Sequence, residues 1–162
     1  MRLDDIRYLF GYDRWATRRI LAVIDNVPDE IWGATGVVGD RGLGAILVHQ
    51  LGAHQRWRLG LGGDDEAASA ARPERQPLPS PGAMQAAWAV EWDALDAWLD
   101  TLDDAWLARV DKNVPFWQML AHVVNHGTQH RSEAAALLTA AGRSPGDLDM
   151  IFYAMEIARD PA

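Results

Sequence analysis

The chain has 162 residues, 49% of them hydrophobic, no cysteine and a formal net charge of −8. This length predicts one domain over residues 1–162, able to bury a core without disulfides or metal staples. The lack of cysteine excludes disulfides, thiolate metal ligands and a cysteine nucleophile. The acidic charge, with no basic stripe, argues against nucleic acid or an anionic membrane surface as partner.

The sequence shows neither a signal-peptide pattern nor a membrane-spanning run. The opening residues, MRLDDIRYLF, lack the basic-then-apolar pattern of a signal peptide, and no apolar run reaches the length of a membrane span. We therefore expect a cytoplasmic protein whose partner is a small molecule, a metal ion or another protein.

The first half of the chain predicts two helices and two connections. Apolar residues recur at spacings of three and four over residues 3–26, the period of an amphipathic helix, which Pro28 ends. The glycine-rich residues 29–42 are predicted to form mainly a loop, with a short helical turn near its start. A second helix is predicted from about Leu43 to Gly60. Residues 60–81 hold four of the eight prolines and are predicted to form a long, mobile connection.

The second half predicts two more long helices. One runs from about Ala83 to Leu102 and carries a stripe of large apolar side chains: Trp88, Trp92, Leu95, Trp98 and Leu99. The other covers the stretch from Pro115 to Gly142, which begins on a proline and stops at Ala-Gly. Residues 146–157 form a short final segment, predicted to be helical. Because no alternation of period two appears, the sequence predicts an all-α four-helix bundle without strands.

All five histidines lie in two of the predicted helices. His122, His126 and His130 are four residues apart in the last long helix, and His49 and His54 lie in the second. Steps of four residues advance only about 40° around a helix, so the three imidazoles form one stripe. Facing helices of bundles commonly hold metal ions, and three nitrogen ligands leave a position open for water or substrate. The histidines therefore predict a divalent-metal site, for zinc first and for nickel, iron or manganese as other candidates.

A helical wheel ranks the histidines only in part. Relative to the apolar face of the last helix, His130 lies about 50° off, His126 about 90° and His122 about 130°. His126 and His130 thus border the core, and His122 points furthest outward. His49 and His54 lie about 140° apart, so they are not expected to share one ion. Their apolar neighbours favour neither, and the wheel leaves that choice open.

Two charged residues of the last helix are candidate catalytic groups. Glu133 lies on the side of His126 and could hydrogen-bond a ligand imidazole or act as a base; a solvated helix acid is the alternative. Arg131 could bind an anionic group of a substrate; an ordinary surface arginine is the alternative.

Three motifs resemble the DinB family, and the resemblance extends over nearly the whole chain. LAHVVNHGTQHRSEAAALL is similar to the family's H-x3-NH-x3-HR signature, which lies in the last bundle helix. ILVHQLGAHQRW is similar to the family's L-x-H with a tryptophan eight residues on. YDRWATRRIL resembles the pattern Tyr-Asn-x-Trp-Ala-Asn, with Asp13 and Thr17 in place of the asparagines.

The resemblance implies a fold and a set of metal ligands. The fold is an up-up-down-down four-helix bundle with a long loop between helices 2 and 3 and a short C-terminal helix. The ligands are His49, His126 and His130. His54 falls where relatives often carry Glu, which implies a position near the site. His122 matches the first histidine of the signature, which is not one of the usual ligands.

The resemblance also implies an activity. Relatives include S-transferases that use the thiols bacillithiol, mycothiol or glutathione, and a mycothiol-dependent maleylpyruvate isomerase. We therefore expect a thiol-dependent S-transferase or, second, a metal-assisted hydrolase acting on a small electrophile. A non-catalytic metal-binding stress-response or ligand-binding module is the alternative, and a homodimer is reasonable under either. An anionic thiol would need a basic mouth to the pocket, for which Arg56, Arg58 and Arg131 are candidates.

Overall fold

The computed structural model describes residues 1–38 and 40–159 and is dominated by four long helices. In chain order the elements are α1 (Leu3–Leu21), α2 (Asp29–Trp32), β1 (Thr35–Val38), α3 (Leu43–Leu61), α4 (Asp65–Ala70), a 3-10 turn (Pro73–Arg75), α5 (Pro81–Leu99), α6 (Asp104–Leu107), β2 (Val110–Asp111), β3 (Val114–Pro115), α7 (Phe116–Ala140) and α8 (Met150–Arg159). The long helices are α1, α3, α5 and α7. Apart from short extended segments the protein is all-α, as predicted.

Three short extended segments correct the prediction that no strand forms. β2 and β3 pair antiparallel, and Lys112 and Asn113 between them have φ of 48° and 67°, the left-handed conformation of a tight hairpin turn. β1 makes bridges from Thr35 and Val38 to Arg41, just before α3. These pairings are too short to show the alternation from which strands are predicted.

The connection between α3 and α5 also differs from its prediction as a mobile loop. It contains α4 and the 3-10 turn, and both pack against α3. Asp64 caps α4, because its side chain accepts a hydrogen bond of 2.9 Å from the backbone N–H of Ala67. The connection is therefore folded onto the helix that carries His49.

Residues in the left-handed backbone conformation follow the C-terminal ends of the first and last long helices. α1 ends at Leu21 and not near residue 26, and Asn26 takes the left-handed conformation with φ of 57°. α7 ends as predicted: Gly142 has φ of 73°, and the N–H of Arg143 donates to the carbonyl of Leu138 at 2.8 Å. This is the glycine-based termination that leaves few helix carbonyls unpaired.

The core consists of two apolar clusters. α7 packs against α1 and α3, and α5 packs against the same two helices. One cluster includes Ile20, Leu47, Trp88 and Leu138. The other includes Ile6, Leu99, Leu120 and Val124. The residues of α7 between the two clusters carry the polar groups that matter below.

A buried polar layer joins α1, α3 and α7 between these clusters. Asp13 forms an ion pair with Arg131, and both residues are 1% exposed. Nε2 of His54 lies 3.3 Å from Oδ2 of Asp13, and Nε2 of Gln50 donates to Oγ1 of Thr17 at 3.3 Å. Burial raises the pKa of Asp13, but the charges and hydrogen bonds of Arg131 and His54 outweigh it and hold that pKa below its usual value. The carboxylate is therefore charged and binds α1 to α7.

Gly127 lets α7 approach this layer. A Cβ atom at Gly127 would lie 2.5 Å from Oδ1 of Asp13 and 2.7 Å from Nη1 of Arg131. The side chains of Asp13 and Arg131 are both buried, so neither can move aside without disturbing the ion pair. Only a hydrogen atom fits between α7 and the ion pair.

The C-terminal helix, α8, lies against α1 and exposes much of its apolar surface. Ile151, Phe152 and Met155 are 57%, 43% and 47% exposed. Within residues 1–38 and 40–159, no helix has both the length and the apolar character that crossing a bilayer requires.

Candidate metal centre

Three histidines from α3 and α7 converge on one point. Each of His49, His126 and His130 offers a ring nitrogen, and these nitrogens all lie within 4.8 Å of one another. The ring centroids are 4.4 Å apart for His126 and His130, 4.8 Å for His49 and His130, and 5.1 Å for His49 and His126. The group could hold a metal ion, and it consists of the three residues that the resemblance implies as ligands.

Helical geometry explains why α7 supplies two of these residues. His126 and His130 are one turn apart and lie on the face of α7 that meets α3. His130 is 4% exposed, His126 and His49 are half-buried, and His122 is exposed. This order is the one that the helical wheel predicts for α7.

Glu133 fixes the orientation of His130. Its Oε2 lies 2.7 Å from Nδ1 of His130, and its Oε1 accepts a hydrogen bond from Nε2 of Gln129 at 3.2 Å. Burial raises the pKa of Glu133, but the hydrogen bonds from His130 and Gln129 outweigh it and the net pKa is lowered. A charged carboxylate at this distance requires a proton on Nδ1 of His130, so in the neutral form of the ring Nε2 presents a lone pair.

The lone pair of His130 points at another imidazole. Its Nε2 is 3.2 Å from Nε2 of His126. If His126 carries its proton on Nε2, its buried Nδ1 keeps a lone pair without a hydrogen-bond partner. If it carries the proton on Nδ1, two lone pairs face each other. A cation between the two nitrogens removes the repulsion of the facing lone pairs and leaves the proton of His126 on Nδ1. Two nitrogens on one tetrahedral zinc ion lie about 3.4 Å apart. The residues therefore fit a divalent metal ion.

The surroundings keep His49 and His126 neutral. Burial, followed by the charges of Arg41 and His130, lowers the pKa of His49 from 6.5 to about 4. Burial, followed by the charges of His130 and His49, lowers the pKa of His126 from 6.5 to about 4. Neutral imidazole is the form that binds metal. Protons therefore compete weakly with a metal ion for these two ligands at neutral pH.

A cavity of about 600 Å³ adjoins the centre at His49. Apolar wall comes from Trp32, Val48 and Leu78, and polar groups come from Arg41 and the connection between α3 and α5, which supplies Glu74 and Gln76. Cavities of this size with few polar groups are typical of small-molecule sites.

The three arginines that were candidates for a basic mouth are all paired with carboxylates. Arg131 is buried and binds Asp13, and its Nη2 donates to Thr128 at 3.0 Å. Arg58 makes two hydrogen bonds of 2.9 Å and 2.8 Å to Glu91. Arg56 binds Glu74 at 2.8 Å. Arg131 does not line the cavity next to His49, and its binding of an anionic substrate group stays a prediction.

The other two histidines lie outside the convergence. His54 is 3% exposed, beside Asp13, and its ring packs on Trp88 with centroids 5.0 Å apart. His122 is exposed, and its ring lies 5.5 Å from that of Trp57. The choice between His49 and His54, which the wheel leaves open, is thus made by the packing of α3 against α7.

Sequence reasoning missed the residues of the cavity wall. Arg41, Glu74 and Gln76 lie in segments predicted as loops, where no periodicity marks a residue. One signal was present, because Arg41 is the single basic residue among the four glycines between Gly33 and Gly42. A charged side chain in a glycine-rich connection between helices is a common position for a binding residue.

The family model of the DinB family matches residues 3–160, nearly the whole chain. Comparisons with curated proteins and with solved structures find no significant match. The family match covers every residue of the centre and of the buried polar layer. The chain therefore belongs to the DinB family.

Proposed function

We propose that this protein is a divalent-metal-dependent enzyme acting on a small electrophile through His49, His126 and His130. The observation that carries the proposal is the convergence of three imidazoles next to a cavity of about 600 Å³. Transfer of a low-molecular-weight thiol is the preferred reaction, and hydrolysis is the second. Membership of the DinB family supports both.

Three nitrogen ligands suit a catalytic rather than a structural metal. Zinc is the preferred ion, and nickel, iron or manganese are also compatible with imidazole ligands. When bound at such a centre, a divalent ion lowers the pKa of a thiol or a water molecule in its remaining position toward neutrality.

The protein groups around the centre have separate tasks in this proposal. Glu133 holds the tautomer of His130, and a further role as a base stays a prediction. Arg131 and Asp13 hold α7 against α1, so they position His126 and His130 through the helix that carries both histidines. The cavity wall at Trp32 and Leu78 excludes water from one side of the substrate.

A non-catalytic binding module is the alternative, and one observation favours it. Both carboxylates nearest the centre are already engaged, Glu133 with His130 and Gln129, and Glu74 with Arg56. Among the described residues of the cavity wall, Asp40 is the only carboxylate without an ion-pair partner, so Glu133 or Glu74 would have to be released before acting as a base. In this alternative the metal ion senses a ligand or supports the fold.

We also propose the up-up-down-down bundle for the four long helices, supported by the packing of α7 and α5 on both α1 and α3. The homodimer remains a prediction, and size-exclusion chromatography with light scattering tests it.

The first experiment is elemental analysis of protein purified without a histidine tag. Wild type and His49→Ala, His126→Ala and His130→Ala are compared with His122→Ala, the exposed histidine one turn before His126. We expect about one ion per chain in wild type and in His122→Ala and loss in the other three. No metal in folded wild type, even after reconstitution, would exclude the proposed mechanism.

The second experiment separates the enzyme from the module. A screen of thiols with a chromogenic electrophile is run on metal-loaded wild type and on His126→Ala. If the site is catalytic, His126→Ala loses turnover without unfolding and lacks only the stability that bound metal adds by mass action. If the metal supports the fold, the melting temperature falls markedly instead.

A further inference from the structure

Arg41 is the cation on the wall of the cavity that His49 also lines. It is half-buried, and within residues 1–38 and 40–159 no carboxylate lies at ion-pair distance from it, unlike Arg56, Arg58 and Arg131. A guanidinium that is partly withdrawn from water and has no internal partner is an available binding group for an anion.

The backbone around Arg41 holds it in place. Thr35 and Val38 both bridge to it, so backbone pairing joins Arg41 to β1 just before α3. Gly42 follows directly, and a Cβ atom there would overlap the carbonyl oxygen of Ala34. The segment is therefore packed against itself with no room for a side chain at Gly42, and Arg41 does not depend on a free loop for its position.

Arg41 lines the same cavity as His49, whose ring centroid is 4.8 Å from that of His130 and 5.1 Å from that of His126. An anion bound at Arg41 therefore lies in the cavity that adjoins the histidine centre. Two carboxylates also line or border the cavity, but Glu74 is neutralised by Arg56 at 2.8 Å, which leaves Asp40 as the only other charge on the described wall.

The rest of the wall is suited to an apolar group. Trp32 is 6% exposed, Val48 4%, and both flank the cavity together with Leu78. A ligand with a charged end at Arg41 and an apolar body against Trp32 and Leu78 would satisfy both kinds of surface.

We propose that Arg41 binds the carboxylate of a small organic acid, whose apolar part packs on Trp32 and Leu78 beside His49. Arg41 is then a specificity-determining residue, since the planar guanidinium matches a carboxylate with two hydrogen bonds. The inference rests on the proposed function for the role of this acid as substrate, but the binding step itself does not require a metal ion.

The test is binding of benzoate, with benzamide as a neutral molecule of the same shape. Titrations follow tryptophan fluorescence and heat in zinc-loaded and in zinc-free full-length protein. The variants are Arg41→Gln, Arg41→Lys and, as control, Arg75→Gln, which removes the same charge from an exposed residue outside the cavity wall. Melting temperatures confirm that all variants fold.

We expect wild type to prefer benzoate over benzamide by about tenfold or more, and Arg41→Gln to lose this preference. Arg41→Lys should lie between, because it keeps the charge and loses the paired hydrogen bonds. Arg75→Gln should bind as wild type does. Absence of benzoate binding to wild type, or equal binding to folded Arg41→Gln, would overturn the inference.

The two proposals fail differently in this experiment. If zinc binds but benzoate affinity does not depend on Arg41, the metal-dependent function stands and the inference is wrong. If zinc does not bind and benzoate still needs Arg41, the inference stands in a protein without the proposed metal chemistry.

Discussion

Glu133 determines which nitrogen of His130 faces the metal centre. Its carboxylate, 2.7 Å from Nδ1, keeps the proton there and turns the lone pair of Nε2 toward His126. Partners of this kind also raise the basicity of the ligand. We expect Glu133→Ala to weaken zinc binding by about 10- to 100-fold, measured by competition with a chromophoric chelator.

A variant that keeps the acceptor separates orientation from charge. Glu133→Gln retains an oxygen for the N–H of His130, so its affinity should fall less than that of Glu133→Ala. The control is Glu66→Ala, which removes an exposed acid of α4 and should leave the affinity unchanged. Zinc affinity in Glu133→Ala equal to wild type would mean that the hydrogen bond does not order the ligand.

The lowered pKa values of His49 and His126 predict how the metal-free protein responds to acid. Both pKa values are about 4 when folded and 6.5 ordinarily, so between these values the unfolded chain binds protons that the folded chain does not. Stability from these groups is therefore complete above about pH 6.5 and decreases as pH falls toward about 4. The melting temperature of chelator-treated protein should drop between about pH 7 and about pH 5.

Other groups titrate in this range, so the comparison needs a variant. His49→Gln combined with His126→Gln removes both groups and should show a smaller drop over the same interval. An equal drop in the double variant would assign the acid response to residues elsewhere in the chain.

At the scale of single residues, sequence reasoning succeeded where helical geometry decides. The order of exposure of His130, His126 and His122 follows from their angles on one wheel. The choice of His49 over His54 does not, because α3 is buried on several sides and its apolar residues point in more than one direction. Only the position of α7 shows which side of α3 faces the centre, and that position is a tertiary property.

The approach of α7 to α1 depends on Gly127, which gives a prediction for these elements. Alanine has the higher helix propensity, worth up to about 1 kcal/mol, so an unobstructed Gly→Ala change would be stabilising. At Gly127 the added methyl would overlap the Asp13–Arg131 pair. We expect Gly127→Ala to lower the free energy of unfolding by about 1–3 kcal/mol, measured by chemical denaturation.

The same variant also tests whether helix position controls the centre. If α7 moves away from α1, His126 and His130 shift relative to His49, and zinc affinity falls together with stability. Gly82→Ala is the matched control, because a Cβ atom at this helical glycine meets nothing within 4 Å. Stability of Gly127→Ala equal to that of Gly82→Ala would show that the ion pair can relax.

Among the elements, the long helices were predictable and their connections were not. Periodic apolar residues and terminal signals predict α1, α3, α5 and α7 to within a few residues, apart from the early end of α1. The segments that form α4, the 3-10 turn and β1 show neither the helical period of apolar residues nor the alternation of a strand. They are ordered by packing on α3 or by a few backbone bridges. Most of the cavity wall comes from the connection before α3 and the connection between α3 and α5, so the pocket could not be predicted even though its histidine could.

For the whole molecule, the question is whether the metal ion holds the fold together. Two apolar clusters and the Asp13–Arg131 pair join the long helices without help from His49 or His126. Such a core does not need a metal staple at 162 residues. We therefore expect chelator-treated protein to keep its helical circular dichroism and to unfold cooperatively.

Metal should then add stability only by mass action. At a free zinc concentration about 100 times the dissociation constant, binding to the folded state alone adds about 2.7 kcal/mol. The melting temperature should rise with zinc in wild type and in His122→Ala and stay constant in His126→Ala. Loss of helical signal on chelation would instead make the three histidines a structural site. A zinc-dependent rise in His126→Ala would place the stabilising ion at other ligands, because the remaining pair, His49 and His130, provides only two of the three nitrogens.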